Sequence, residues 1–211
     1  MKETFTIGGI TFDTRLAVVV VLITTLTMVD WYGHRVTPEK AYDRLLFYFI
    51  IPMGVILLWW REPASAYGWQ WGNWREGLLW TVGAMVGMSL ILWVVARWPS
   101  MQGYYLPRAP ENVGRLLWLA GVDLFAWEFV WRGFMLFTLA RIMGPGPAIF
   151  IQAIPFAYMH LGKPEIETFS TIFGGAAFGF LAWRTQSFVY PWLIHWYIMC
   201  FTVLMAMGRL G

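Results

Sequence analysis

Residues 77–97, GLLWTVGAMVGMSLILWVVAR, contain no charged side chain before Arg97. A helix of this length rises about 30 Å, which matches the hydrocarbon core of a bilayer. The stretch therefore predicts a transmembrane helix. Six further apolar runs occupy residues 15–31, 44–60, 114–141, 145–161, 166–184 and 188–208. We expect an all-α fold, a polytopic bundle of about seven transmembrane helices.

The composition favours the same class of protein. The chain has 211 residues, of which 59% are hydrophobic and 13% charged, whereas about a quarter of the residues in soluble domains are charged. Its 15 Trp and 9 Tyr suit interfacial aromatic belts. A net charge of +3 is too small to indicate a nucleic-acid partner. We expect one transmembrane domain over residues 1–211, with residues 15–31 as a retained span.

Two shorter stretches carry local predictions. The aromatic segment 64–77, ASAYGWQWGNWREG, looks amphipathic and could lie along the membrane interface. Gly175 and Gly179 have the spacing that lets two helices approach closely in lipid. Lys and Arg divide almost evenly between alternate loops, so the membrane orientation stays open.

Four ionisable residues stand out within the apolar runs: Glu128, Arg132, His160 and His195. Such groups are costly inside a membrane and mark functional sites by default. Glu128 and Arg132 are four residues apart and lie on one helix face, where each can neutralise the other. The alternatives are a structural ion pair between helices and histidines that serve only in packing.

These residues offer two kinds of hydrolytic chemistry. Two histidines and one carboxylate, His160, His195 and Glu128, can bind a divalent metal such as zinc and leave a position open for water. They can also act without metal, with Glu128 as the base and a histidine as orienter and oxyanion donor. The spacing does not decide between these two possibilities.

Three stretches resemble signatures of the CPBP family of intramembrane proteases, which includes the CAAX prenyl endopeptidases of Rce1 type and bacterial relatives linked to bacteriocin processing. They are WEFVWRGFML (127–136), FAYMHL (156–161) and GGAAFGFLAWRTQSFVYPWLIH (174–195). The family motifs are Glu-Glu-x-x-x-Arg, Phe-x-x-x-His and His-x-x-x-Asn, on successive membrane helices. The resemblance covers about residues 115–205. It implies roles for Arg132, Phe156, His160 and His195, which match the motifs.

Two positions depart from the family pattern. Trp127 replaces the first Glu, so that only Glu128 of the acidic pair remains, and Met199 replaces the Asn that is taken to stabilise the oxyanion. Trp127 or Tyr197 could donate in its place. Asp123 precedes Trp127 by four residues and could be a displaced carboxylate or a polar residue near the membrane surface.

The depth of the two histidines in the membrane makes a further prediction. A helix from residue 145 places His160 about 22 Å from its start, whereas a regular helix from residue 188 places His195 only about 10 Å deep. An extended or broken segment at 187–191, which includes Pro191, would close this gap. We therefore expect such a segment inside the protein.

The resemblance implies an intramembrane endopeptidase, of metallo- or glutamic type, in a bacterial cytoplasmic membrane. Its partners would be the lipid bilayer and a membrane-associated peptide or protein tail as substrate. One alternative is a catalytically inactive CPBP-like scaffold, immunity or chaperone protein. A transporter with a proton relay is the other, but the sequence has no internal repeat that would favour it.

Overall fold

The computed structural model describes residues 4–110 and 112–210. A short hairpin of two strands, β1 (Thr4–Ile7) and β2 (Ile10–Asp13), precedes the helices. The helices of the described chain are α1 (Thr14–Trp31), α2 (Lys40–Trp60), α3 (Trp74–Val95), α4 (Pro99–Tyr105), α5 (residues 113–143), α6 (Pro145–Tyr158), α7 (Glu165–Thr185) and α8 (Val189–Ala206). Single 3₁₀ turns lie at Ala64–Tyr67 and Leu106–Arg108.

A helix forms at every one of the seven predicted apolar runs, which confirms the all-α class. Within the described residues, α1, α2, α3, α7 and α8 are long and apolar enough to cross a membrane. Helix α6 has only 14 residues, which is short for a span. Helix α5 is long, but its middle carries charges and is packed inside the bundle, where residues 126–140 are all buried. The chain is an integral membrane protein of helical-bundle type.

Helices α2 and α5 are not regular α-helix throughout. Helix α2 contains π-helical segments at Leu45–Ile50 and Val55–Trp60, and α5 consists of Val113–Glu128, a π-helical segment Phe129–Met135, and Leu136–Met143. Segments of π-helix inside α-helices occur frequently at functional sites. In α5 the segment begins directly after Glu128, so the change of helical geometry coincides with the charged pair.

The segment 64–77 does not form an interfacial helix. After the 3₁₀ turn, residues 68–73 lie against the connection between α7 and α8: Asn73 N donates to Thr185 O at 2.9 Å, and Phe188 N donates to Gly68 O at 3.2 Å. Gly72 has a φ of +52°, and a Cβ there would lie 1.9 Å from Thr185 O. This close backbone approach requires glycine and holds the segment to the bundle.

The predicted break at 187–191 is shorter than expected: Ser187 and Phe188 are not helical, but α8 is a regular helix from Val189, with Pro191 in its first turns. The irregular backbone is limited to residues 186–188. Ser187 and Phe188 are fully buried there, so the last helix begins inside the protein. The rings of His160 and His195 lie 6.4 Å apart between centres, so the two histidines meet without an extended segment.

Candidate active site

Four helices contribute to the candidate site. Helix α5 carries Glu128 and Arg132, α6 leads to His160, and α8 carries His195. Helix α7 supplies the main-chain carbonyl of Gly175. The structure brings all four predicted ionisable residues together, although they come from stretches nearly 70 residues apart.

Glu128 and Arg132 form a fully buried ion pair. Arg132 Nη1 lies 3.1 Å from Glu128 Oε2 and 3.3 Å from Oε1, and both side chains have no exposed surface. The guanidinium lies 3.9 Å from the ring centre of Phe156 and donates from Nη2 to Gly175 O at 3.4 Å. Burying both charges is costly, so their mutual pairing is needed to keep them in the core.

His195 is hydrogen-bonded to the same carboxylate. Its Nδ1 lies 2.6 Å from Glu128 Oε1, and 13% of its side chain is exposed. A carboxylate paired with Arg132 is an acceptor, so the hydrogen lies on Nδ1 of the imidazole. In the neutral ring this leaves Nε2 as an unprotonated nitrogen.

His160 follows the end of α6 and is fixed in the same way. Its Nδ1 donates to the main-chain carbonyl of Phe156 at 2.7 Å. Because a carbonyl only accepts, Nε2 is again the remaining nitrogen. The rings of His160 and His195 are 6.4 Å apart between centres and nearly parallel, at 26°. Phe156 contacts both, at 4.6 Å and 6.0 Å.

A cavity of about 560 Å³ lies beside the two histidines. It opens at the end of the bundle where α1 finishes and α2 begins, and its wall contains both histidines, Trp127 and Met199, but neither Glu128 nor Arg132. The ion pair therefore lies behind the histidines, and His195 is its link to the cavity. Charged residues also line the cavity, among them Asp30, Lys40, Arg44, Arg108, Asp123 and Lys163.

Trp127 occupies the space between the cavity and the core. Its ring packs edge-on against His160, with 6.0 Å between ring centres, and the guanidinium of Arg44 lies 4.5 Å from its ring centre. Asp123 accepts hydrogen bonds from Arg44 Nη1 at 3.0 and 3.1 Å. The structure thus places Asp123 in an ion pair with Arg44. Tyr197 is hydrogen-bonded to Ser89 on α3 at 2.5 Å and does not line this cavity.

Arg44 and Asp30 are site neighbours that the sequence reasoning missed. Arg44 bonds to Asp30 on α1 through Nε and Nη2, at 3.1 and 3.0 Å. Both residues lie at the ends of apolar runs, Asp30 near the end of 15–31 and Arg44 at the start of 44–60. A cation in the first turn of one run and a carboxylate in the last turn of another could have indicated an ion pair between the two helices.

Gln152 is a further missed residue. It is fully buried and donates from Nε2 to Gly175 O and to Ile149 O, both at 2.8 Å. The carbonyl of Gly175 therefore accepts from both Gln152 and Arg132. A Cβ at Gly179 would lie 2.5 Å from Gln152 Nε2. The predicted close packing at these glycines makes room for a polar bridge next to the ion pair.

The residues do not fit the zinc site that the sequence left open. Across residues 4–110 and 112–210, no three His, Cys, Asp or Glu side chains are arranged to hold a metal ion. His195 Nδ1 and Glu128 Oε1 are bound to each other, and Arg132 lies against the carboxylate. A catalytic zinc ion needs three protein ligands directed at one point, which this arrangement does not supply.

The fold and the site together define a helical integral membrane protein with a buried Glu–His pair at the wall of a cavity. Residues 109–201, a little under half of the chain, match the family model described as type II CAAX prenyl endopeptidase Rce1-like. This match contains every predicted site residue and confirms the resemblance to CPBP, Rce1-type proteins that the motifs indicate. No curated protein and no solved structure was found to match the chain.

Proposed function

We propose that this protein is an intramembrane endopeptidase, located in a bacterial cytoplasmic membrane, that hydrolyses a peptide bond in a membrane-associated peptide or protein tail. The observation that carries the proposal is the 2.6 Å contact between Glu128 Oε1 and His195 Nδ1, at the wall of a cavity lined by two histidines. A base oriented by a buried carboxylate is an arrangement that supports general-base hydrolysis.

In this proposal His195 is the base and Glu128 is its positioning residue. Nε2 of His195 accepts a proton from water as the water oxygen attacks the substrate carbonyl. The positive charge that forms on the ring is stabilised by Glu128, which is in turn held by Arg132. The same Nε2 then returns the proton to the leaving amine. These roles differ from the sequence-based assignment of Glu128 as the direct base, because Glu128 does not line the cavity.

His160 takes the second position at the water. With its Nδ1 hydrogen committed to the carbonyl of Phe156, the neutral ring presents Nε2 as an acceptor. It therefore holds a hydrogen of the attacking water and does not donate to the oxyanion. Met199 has no hydrogen to donate, so we assign the oxyanion to the indole of Trp127, which lines the cavity.

The experiment compares peptide termini in membrane vesicles that contain the wild-type protein, Glu128→Gln or His160→Ala. Mass spectrometry would detect new termini with wild type and few or none with either variant. His34, an exposed histidine outside the site, supplies the matched control, because His34→Gln keeps the wild-type products. Equal products from all four proteins would contradict the proposal.

A second candidate function is a scaffold that binds peptides without cutting them. Two observations favour it: Trp127 stands where the family has an acid, and Glu128 is sealed from the cavity. A scaffold would retain peptides and release them intact, with the same affinity in wild type and in Glu128→Gln. Peptides recovered intact from wild type after long incubation would favour this candidate over the enzyme.

A further inference from the structure

The N-terminal hairpin has one apolar face and one polar face. Phe5 pairs with Phe12 and Ile7 with Ile10 across the strands, so these four side chains lie on the same face. The rings of Phe5 and Phe12 are stacked with 5.2 Å between centres. The other face carries the pair Thr6 and Thr11, whose hydroxyl groups are hydrogen-bonded at 3.1 Å, and the pair Thr4 and Asp13.

The described protein leaves this apolar face uncovered. Ile7 and Ile10 are 67% and 63% exposed, and Phe5 and Phe12 are each 39% exposed. An isolated two-stranded hairpin is at best marginally stable in water. A hairpin with four exposed apolar side chains therefore needs an apolar surface that offsets the entropy of ordering it.

The hairpin is continuous with a surface that faces lipid. Strand β2 ends at Asp13, whose carboxylate accepts from Leu16 N at 2.8 Å and begins α1 without an intervening loop. Helix α1 is long and apolar enough to span the membrane, and Val20 and Val21 on it are 49% and 65% exposed. In an integral membrane protein the bilayer is the apolar medium that covers exposed valines on such a helix.

Charged and aromatic groups mark the membrane boundary at this point. Arg15 bonds to Glu62 at 2.5 Å, and its guanidinium lies 5.2 Å from the ring centre of Trp60. Arg and Trp side chains are typical of the level where the hydrocarbon core meets the headgroups. The hairpin ends at Asp13, two residues before Arg15, and so lies at this level.

We propose that the hairpin is an interfacial anchor, whose apolar face of Phe5, Ile7, Ile10 and Phe12 lies in the lipid surface while its Thr face remains in water. The occupant of the apolar face is lipid. Threonines on the outer face provide the polar side that an amphipathic element at the interface needs. The anchor fixes the entry of α1 into the membrane and is separate from the proposed hydrolytic function.

The test measures the depth of each face in the full-length protein, reconstituted in phosphatidylcholine–phosphatidylglycerol vesicles. In a Cys200→Ser background, which removes the single cysteine, the variants Ile7→Cys and Ile10→Cys report the apolar face. Thr6→Cys and Thr11→Cys are the matched controls on the same strands. Each cysteine carries a nitroxide, and collisions with oxygen, which concentrates in lipid, are compared with collisions with a water-soluble nickel chelate.

The proposal predicts a higher oxygen-to-nickel collision ratio at positions 7 and 10 than at positions 6 and 11. Equal ratios on both faces would show that the two faces share one environment and would overturn it. Spin–spin broadening at positions 7 and 10 that disappears on dilution with unlabelled protein would identify a second copy of the chain as the occupant, which also overturns the proposal.

Discussion

Glu128 and His195 are joined by a hydrogen bond of 2.6 Å between Oε1 and Nδ1, although 67 residues separate them in the sequence. The bond assigns the hydrogen of the neutral ring to Nδ1 and leaves Nε2 free to accept a proton. It also gives the buried carboxylate a second partner besides Arg132. Function and stability therefore meet at one side chain, and the two can be tested separately.

Removing the carboxylate is expected to lower the rate of hydrolysis far more than the affinity for substrate. Glu128→Gln keeps the shape of the side chain but removes the charge that stabilises protonated His195, and a positioned base contributes about 10²- to 10⁴-fold. We expect a fall in kcat of this order with KM little changed, measured on peptides in proteoliposomes. A variant with the wild-type kcat would exclude a role for this carboxylate in catalysis.

Arg132→Met is expected to destabilise the protein strongly. It leaves the fully buried carboxylate of Glu128 without its cation, and breaking a buried pair costs about 3–5 kcal/mol. The double variant Glu128→Gln with Arg132→Met removes both charges and should recover much of this loss. The readout is the free energy of unfolding in detergent micelles.

The matched control for that measurement is Arg184→Met. Arg184 pairs with Glu76 at 2.9 Å, but its side chain is 55% exposed, and surface pairs contribute about 0–1 kcal/mol. A similar loss of stability for Arg132→Met and Arg184→Met would contradict the account of the buried pair.

Gly179→Ala is expected to reduce stability by about 1–3 kcal/mol, since overpacking of a core has costs of this size. The new methyl group would meet Gln152 Nε2 at 2.5 Å and displace its hydrogen bond to Gly175 O. Gly174→Ala on the same helix is the control, because a Cβ there has no neighbour within 4 Å. The measurement is Tm from thermal unfolding. An equal decrease in Tm for both variants would argue against a tight polar contact at Gly179.

The environment of the Glu62 carboxylate leads us to predict that the protein loses stability in acid. Burial alone would raise the pKa of Glu62, but hydrogen bonds from Arg15, Tyr67 and Arg141 outweigh it and lower the pKa from its ordinary value of 4.5 to about 2. A lowered pKa in the folded state contributes stability above pH 4.5, and this contribution is lost as the pH falls from 4.5 towards 2.

The measurement is Tm against pH for wild type and Glu62→Gln. The difference in Tm between them should be constant above pH 5 and shrink as the pH falls through this range. The exposed Glu165 is the control, because Glu165→Gln should keep the wild-type pH dependence. A difference between wild type and Glu62→Gln that stays constant down to pH 2 would contradict the assignment.

The helices were predictable because apolar runs of about 20 residues have few other stable conformations in a membrane. The pairing of Glu128 with Arg132 was predictable as well, since their spacing alone places them on one helix face. The hairpin was missed, although Gly8 and Gly9 between alternating Thr and apolar residues are a hairpin signal. Its strands have only four residues each, too few to stand out beside apolar runs of about 20 residues.

Other features depend on tertiary contacts that no local pattern contains. The segment 68–73 resembles an amphipathic helix in composition, but hydrogen bonds to the connection between α7 and α8 determine its conformation. The meeting of His160 and His195 depends on how α6 and α8 pack, which hydropathy does not reveal. Likewise, the separation of Glu128 from the cavity follows from how α5, α6 and α8 pack, and it changes the role expected for that residue.

The most direct test of the central claim is the protonation of the two nitrogens of His195, measured by ¹⁵N NMR on the labelled protein in lipid. The chain has only three histidines, so His34→Gln and His160→Gln assign the signals. We predict a neutral His195 with its hydrogen on Nδ1 and an unprotonated Nε2, and a loss of this preference in Glu128→Gln. A hydrogen on Nε2 in wild type, or a spectrum that Glu128→Gln does not change, would contradict the account.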